Sequence, residues 1–223
     1  MSKLQLRLIE SRCIIALVTT DVERVLQRAD EFFMGEGPVH KTLRRLARRL
    51  AEEGIDYALI GGMAMALHGY ERLTVDVDLL LSAEGLKRFR ESLVGRGYTP
   101  VFPGARKHYR DAETGVSVEI ITAGEYPGDG KPKDISFPNP ADIAEDRGGI
   151  QVARLETLIE LKLASGLSAP HRVKDIADVQ QMIEVLGLPK ELSEKLHTSV
   201  RSEYLRLWQA TDDARAGTGP DRE

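Results

Sequence analysis

The sequence predicts an α+β chain in which β-favouring and helical segments alternate as far as Thr122 and helices alone follow. Three observations predict it. A short β-favouring run at 57–60 enters Gly61-Gly62 and a short apolar helix, and a second strand then carries Asp76 and Asp78. A stretch at 124–140, rich in Gly, Pro, Asp and Lys, marks a change of character. Beyond it, apolar residues recur at the 3.6-residue spacing of helices.

Taken in order, residues 1–19 receive no assignment, because Leu4, Leu6 and Leu8 alternate as in a strand but no turn or cap bounds one. Thr20-Asp21 reads as the N-cap of a helix through residue 33, with Val22, Val25, Leu26 and Ala29 on one face. Gly35-Glu36-Gly37-Pro38 breaks it. Leu43, Leu46, Ala47 and Leu50 then space a helix over 40–53 that Gly54 stops. Its outer face carries Lys41, Arg44, Arg45, Arg48 and Arg49. Two readings stand for this face: a solvated surface whose arginine stems cover apolar area, or a dock for a phosphate backbone such as an RNA acceptor.

The strand at 57–60 turns at Gly61-Gly62 into a helix over 63–67, ended by Gly69. A strand starting near Arg72 places Asp76 and Asp78 on one face and Val75, Val77 and Leu79 in the core, since side chains alternate. Ser82-Ala83-Glu84 caps a helix through Arg96, and Gly97 ends it before a strand at 98–102. Strands at 105–111 and 116–122 flank the polar turn Ala112-Glu113-Thr114-Gly115. On the second of them Val116, Val118 and Ile120 face one way, and Ser117, Glu119 and Ile121 the other. Glu119 is thus a carboxylate inside an apolar strand, which suits an edge strand or an acid with a partner such as a metal. The loop at 124–140 reads as a flap over a site. Helices at 155–164, 175–186 and 191–209 follow, and polar residues 211–223 read as disordered. The expected division is an N-terminal extension at 1–37, an α/β core at 38–145, a helical domain at 146–210 and a tail.

Composition narrows the class of partner. A formal charge of −4 over 223 residues offers no global attraction to nucleic acid or to an anionic membrane. The single cysteine, Cys13, excludes an internal disulfide and a multi-cysteine zinc site. The apolar run at 13–18 is too short for a membrane span or a signal h-region, so the expected location is the cytoplasm and no membrane is expected as partner.

Three carboxylates on neighbouring strands, Asp76, Asp78 and Glu119, make an all-oxygen donor set. Hard oxygen ligands with room for waters suit magnesium, and the chemistry they imply is phosphoryl or nucleotidyl transfer. Gly61-Gly62 presents unobstructed backbone N–H groups to a triphosphate, or else permits a tight turn and close packing. His40, His68, His108, His171 and His197 show no ligand spacing. His68 and Arg72 have plain structural readings, at a helix C-terminus and beside an acid. Asp175, which follows Lys174, and Asp178 can equally be acids favoured by a helix N-terminus.

Gly61-Gly62, thirteen residues, Asp76-Val77-Asp78 and then Glu119 together resemble the signature of the DNA polymerase beta nucleotidyltransferase superfamily. More narrowly, GGMAMALHGYERLTVDVDL is similar to the nucleotidyltransferase-like proteins of the AbiEii abortive-infection toxin group, and LETLIELKLASGLSAPHRVKDIADVQ resembles that group's helical segment. The resemblance covers roughly residues 38–187. It implies a polymerase-beta-type core, a mixed sheet with flanking helices followed by a helical C-terminal region. It implies a metal-dependent nucleotidyltransferase that uses an NTP, with magnesium or manganese as cofactor, an RNA or small-molecule acceptor and an antitoxin protein as partner. Residue by residue, Asp76, Asp78 and Glu119 would be catalytic and hold the metal, with Glu119 as general base. Gly61, Gly62, Lys162 and Arg172 would contact the phosphates, and Asp175 and Asp178 would order the helical side of the site or touch the base or the acceptor. The chain has Gly62 where the superfamily often has serine, and Glu119 where aspartate is common. Those departures motivate the alternative of a nucleotide-binding or interaction module that keeps the fold without turnover.

Overall fold

The computed structural model describes residues 24–27 and 29–217. The expected cap at Thr20-Asp21 and the unassigned residues 1–19 lie outside them, as do residues 218–223. Residues 24–27 and 29–33, labelled α1, are helical, and their inward side is not the expected one. Val25 and Leu26 are 62% and 59% exposed, and Phe32 is buried instead, its ring centred 5.1 Å from that of His40.

Pro at the first turn and the spacing of Val39, Leu43, Leu46, Ala47 and Leu50 start and bury α2 (Pro38–Glu52), and Gly54 follows it with φ +59°. β1 (Tyr57–Ile60) feeds α3 (Gly61–Leu67), which begins on the glycines themselves rather than at Met63. β2 (Asp76–Leu81) begins four residues later than expected, so Val75 is 73% exposed while Val77 and Leu79 are fully buried. Its pairing with β5 starts at Asp76 opposite Ser117, and the residues before it have no strand partner. Ser82 caps α4 (Ala83–Ser92) by accepting from the Gly85 N–H at 2.9 Å. α4 stops short of Arg96 because the chain turns at Val94 into a bridge with Tyr98.

β3 (Tyr98–Pro100), β4 (His108–Asp111) and β5 (Ser117–Thr122) follow, the first two shorter than the sequence suggested. A hairpin that hydrophobic pattern did not announce comes next, after the one-turn helix α5 (Pro140–Ile143). It comprises β6 (Ala144–Arg147) and β7 (Ile150–Ala153). Its turn, Gly148-Gly149, has φ of +65° and +83°, the backbone that two-residue hairpin turns demand. The expected boundary after residue 145 falls inside β6, and both strands belong to the sheet.

The seven strands run in the order β3-β4-β5-β2-β1-β7-β6. β2 lies at the centre, antiparallel to β1 and parallel to β5. The sheet is therefore mixed, and a helical region completes the α+β fold. That region holds α6 (Leu155–Gly166), α7 (Val173–Leu186) and α8 (Thr198–Gly217), with short 3₁₀ turns at Pro170–Arg172 and Lys190–Lys195. The helix expected at 191–209 is split between the second of these turns and α8. Residues 211–217, expected to be disordered, are helical: Thr211 is buried, and Arg215 donates to the Glu184 carbonyl.

Two apolar clusters divide the molecule. The first joins the inner side of α2 to the sheet, and the second joins α6, α7 and α8. Phe137, from the long loop after β5, packs against both. The neck of that loop is closed by Gly124 N–H to the Phe137 carbonyl at 2.8 Å and Phe137 N–H to the Glu125 carbonyl at 2.7 Å. Its tip is tied to the end of α6 through Asp129 N–H and Ser168 Oγ, so the segment is a strap rather than a free flap.

Candidate active site

The site grows from the pairing of β2 with β5. Parallel register sets Asp76 opposite Ser117 and Asp78 opposite Glu119, and the alternation of side chains turns all three acids away from Val77, Leu79, Val118 and Ile120 in the core. β5 is an internal strand, between β4 and β2, so an edge position does not account for Glu119. Crowding of like charge is visible at Asp78. Burial, then the neighbouring Asp76 and Glu119, push its carboxyl up to about 7, against the opposing pull of Lys162 and of the Gly62 N–H. Asp76 is steadied by Thr74, whose hydroxyl donates to Oδ1 at 2.7 Å.

The glycine pair is explained by packing. Gly61 has φ +68°, and a Cβ there would sit 1.8 Å from Asp78 Oδ2. A Cβ on Gly62 would sit 2.7 Å from Thr74 Oγ1. Close approach to β2 is thus the reading the geometry favours for these glycines, and the Gly62 N–H is engaged with Asp78 in this state.

The helical side contributes an ion cluster. Lys162 on α6 donates to Asp175 Oδ1 at 3.0 Å and to Asp178 Oδ2 at 2.7 Å, both on α7. Arg172 Nη2 lies 3.0 Å from Asp175 Oδ2, and Ser165 Oγ donates to the same oxygen at 2.7 Å. Burial alone would raise the Asp175 carboxyl, but Lys162, Ser165 and Arg172 outweigh it and hold the group below the usual range. Arg72 Nε lies 3.2 Å from Asp178 Oδ1, a contact made across 106 residues.

A cavity of about 310 Å³ brings these groups together. Asp76, Asp78, Glu119, Gly61, Gly62, Lys162, Arg172, Asp175 and Asp178 all line it. So do Arg72, Thr74, Phe137 and Lys174, none of which the sequence marked for the site on its own. The T-x-D spacing of Thr74 and Asp76 was the one local hint, and it concerns Thr74 alone. His68 stays outside, its Nε2 2.8 Å from the Ala153 carbonyl and its ring lowered in pKa chiefly by burial, a tie between α3 and β7.

None of the basic residues of α2 lines the cavity. Arg45 pairs with Asp111 and Glu113, Arg44 donates to the Gly35 carbonyl, and Arg48 and Arg49 approach Glu52. Lys41 is exposed.

The donor set suits a hard divalent cation, since it is all oxygen and the repulsion raising Asp78 is what a cation would relieve. Among the described residues no group of three or more His, Cys, Asp or Glu is arranged to hold a metal ion. Among the described residues no helix is long and apolar enough to cross a membrane.

Residues 9–161 match a family described as an uncharacterised nucleotidyltransferase. Similar solved structures include an antigenic nucleotidyltransferase-like protein from Paracoccidioides brasiliensis, 19% identical over 79% of this chain and 89% of that one, with a TM-score of 0.49. A protein from Thermotoga maritima described as a nucleotidyltransferase is 20% identical over 64% and 91%, with a TM-score of 0.42. ANT(2″)-Ia in complex with adenylyl-2″-tobramycin is 13% identical over 78% and 97%, with a TM-score of 0.47. No curated protein matches the chain.

Proposed function

Because the chain belongs to this nucleotidyltransferase family, we propose that it moves a nucleoside monophosphate from an NTP to an acceptor hydroxyl and releases pyrophosphate. The observation that supports this most is the register that sets Asp78 beside Glu119, with Asp76 on the same face of the same cavity. Asp76, Asp78 and Glu119 would hold magnesium, or manganese in its place, which when bound neutralises charge developing on the transferred phosphoryl group. Glu119 accepts the proton of the acceptor hydroxyl. The freed electron pair bonds to the α-phosphorus, and the bond from that phosphorus to the oxygen bridging to the β-phosphate breaks. Lys162 and Arg172, while keeping their pairs with Asp175 and Asp178, hold the triphosphate with their remaining N–H groups, and Gly61 and Gly62 let it approach the backbone.

The test is incubation with each labelled NTP, magnesium and either total RNA or candidate small molecules. Asp76→Ala and Asp78→Ala are expected to lower label transfer at least about 100-fold, since several kcal/mol of charge stabilisation are removed. Equal labelling by variants and wild type would sink the assignment. Label in RNA would favour the toxin-like reading with an antitoxin partner, which the likeness of GGMAMALHGYERLTVDVDL to the AbiEii group motivates. Label in a small molecule would favour the other acceptor class.

A second reading is a nucleotide-binding module without turnover. It is motivated by the engagement of both the Gly62 N–H and Lys162 within the protein. Magnesium-dependent NTP binding in calorimetry with no product in the labelling assay would select it.

A further inference from the structure

We propose that the cavity takes the nucleobase by stacking it on Phe137 and leaves the base edges unread by side chains, so that all four NTPs bind with similar affinity. The inference rests on the nucleotide reading above.

Among the described residues Phe137 is the only aromatic one lining the cavity. Its backbone is pinned by the two hydrogen bonds at the neck of the strap, and its ring is supported by both apolar clusters while remaining half-buried. It is therefore a fixed platform at the seam between sheet and helices. Ile121 stands on the same face of β5 as Glu119, two residues on, which puts apolar wall about 7 Å beyond the carboxylates. Leu158, one turn before Lys162 on α6, extends that wall. Phosphate chemistry at the acids and an apolar shelf one sugar's length away are the two ends that an NTP presents.

The polar side chains near that shelf are already committed. Lys162, Arg72 and Arg172 are paired with Asp175 and Asp178, and Ser165 completes the cluster. A base edge would have to break one of these pairs to be read. Among the described residues Lys174 is the cavity cation with no partner, and it is an exposed point charge at the start of α7. Strong discrimination requires buried polar groups that the wrong substrate leaves unpaired. Stacking needs only a π-face, which every base has, and is worth roughly 5- to 150-fold in affinity.

The experiment titrates wild type, Phe137→Ala, Phe137→Leu and Phe137→Trp with ATP, GTP, CTP, UTP and inorganic tripolyphosphate by calorimetry in magnesium buffer. Wild type is expected to bind the four NTPs within about 10-fold of one another. Phe137→Ala and Phe137→Leu should weaken all four by roughly 10-fold or more and leave tripolyphosphate unchanged, and Phe137→Trp should restore NTP binding. Unchanged tripolyphosphate affinity shows that the variants are folded at the phosphate end. Three results overturn the proposal: NTP affinity indifferent to Phe137, parallel loss of tripolyphosphate, or one NTP preferred by more than about 10-fold. If wild type binds neither NTP nor tripolyphosphate, the nucleotidyltransferase reading falls with it; NTP binding indifferent to Phe137 removes the stacking platform alone.

Discussion

Asp76 and Asp78 were legible because a strand alternates with period two and no long-range information is needed to put them side by side. Thr74 was not, since its two functions depend on where β2 begins and on the return of Gly62 against it. Those contacts also explain why glycine stands where serine is frequent. In Gly62→Ser the new Cβ meets Thr74 within 2.7 Å and drives its hydroxyl off Asp76. The expected outcome is a stability loss of about 1–3 kcal/mol in urea unfolding, with label transfer reduced at least about 10-fold. Adding Thr74→Ala makes room for the serine and should recover most of the stability but little of the turnover, because Asp76 still lacks its donor. Equal destabilisation of the single and double variants would refute Thr74 as the obstacle.

The basic helix shows how an element can be read in type while its use is left open. Periodicity placed α2 and its buried side, but whether its arginines meet RNA or protein depended on what the turn between β4 and β5 brings to them. It brings Asp111, 1% exposed, which accepts from Thr42 at 2.9 Å and pairs with Arg45. Burial alone would raise the Asp111 carboxyl, yet Arg45, the Glu113 N–H and Thr42 hold it below its ordinary value. A carboxyl with a depressed folded pKa contributes stability that is present above the unfolded value, about 3.9, and is lost as pH falls through the folded one. Wild type should therefore lose stability below about pH 4 more steeply than Asp111→Asn. At pH 7 that variant should be less stable by about 2 kcal/mol, because it leaves Arg45 short of its acceptor. Denaturant midpoints from pH 7 to pH 3 check both; parallel curves would show that the pair contributes nothing.

Across the whole molecule, the site is closed by the seating of α6 and α7 against the sheet, and the ion cluster lies at that seam. Lys162 neutralises two carboxylates, so Lys162→Met leaves Asp175 and Asp178 short of charge at a largely buried place. The variant should lose about 3 kcal/mol of stability and most of its NTP affinity. Adding Asp178→Asn should restore part of the stability and none of the affinity, if Lys162 also serves the triphosphate. Thermal unfolding and calorimetry on the same samples separate the two; recovery of NTP binding in the double variant would show that Lys162 acts only as a counter-charge.

Local pattern was enough for the helices, the strands with clean alternation and the spacing from the glycines to the aspartates, because each is encoded within a few turns of chain, whereas Lys162, Arg172, Asp175 and Asp178 were named only by the resemblance to a family. Local pattern was also enough to flag Glu119 as an acid out of place, though not to say why. The packed fold decided what local pattern leaves open. It decided that β5 is internal and runs parallel to β2, so that Glu119 meets Asp78. It decided that a hairpin at 144–153 joins the far side of the sheet, and that residues 211–217 continue α8. It also decided which cations are spent on neighbouring acids and which face the cavity. Each of those outcomes depends on partners many tens of residues apart, whose pairing is set by the free energy of burying apolar faces and compensating buried charge across the whole chain, and no window of sequence contains that sum.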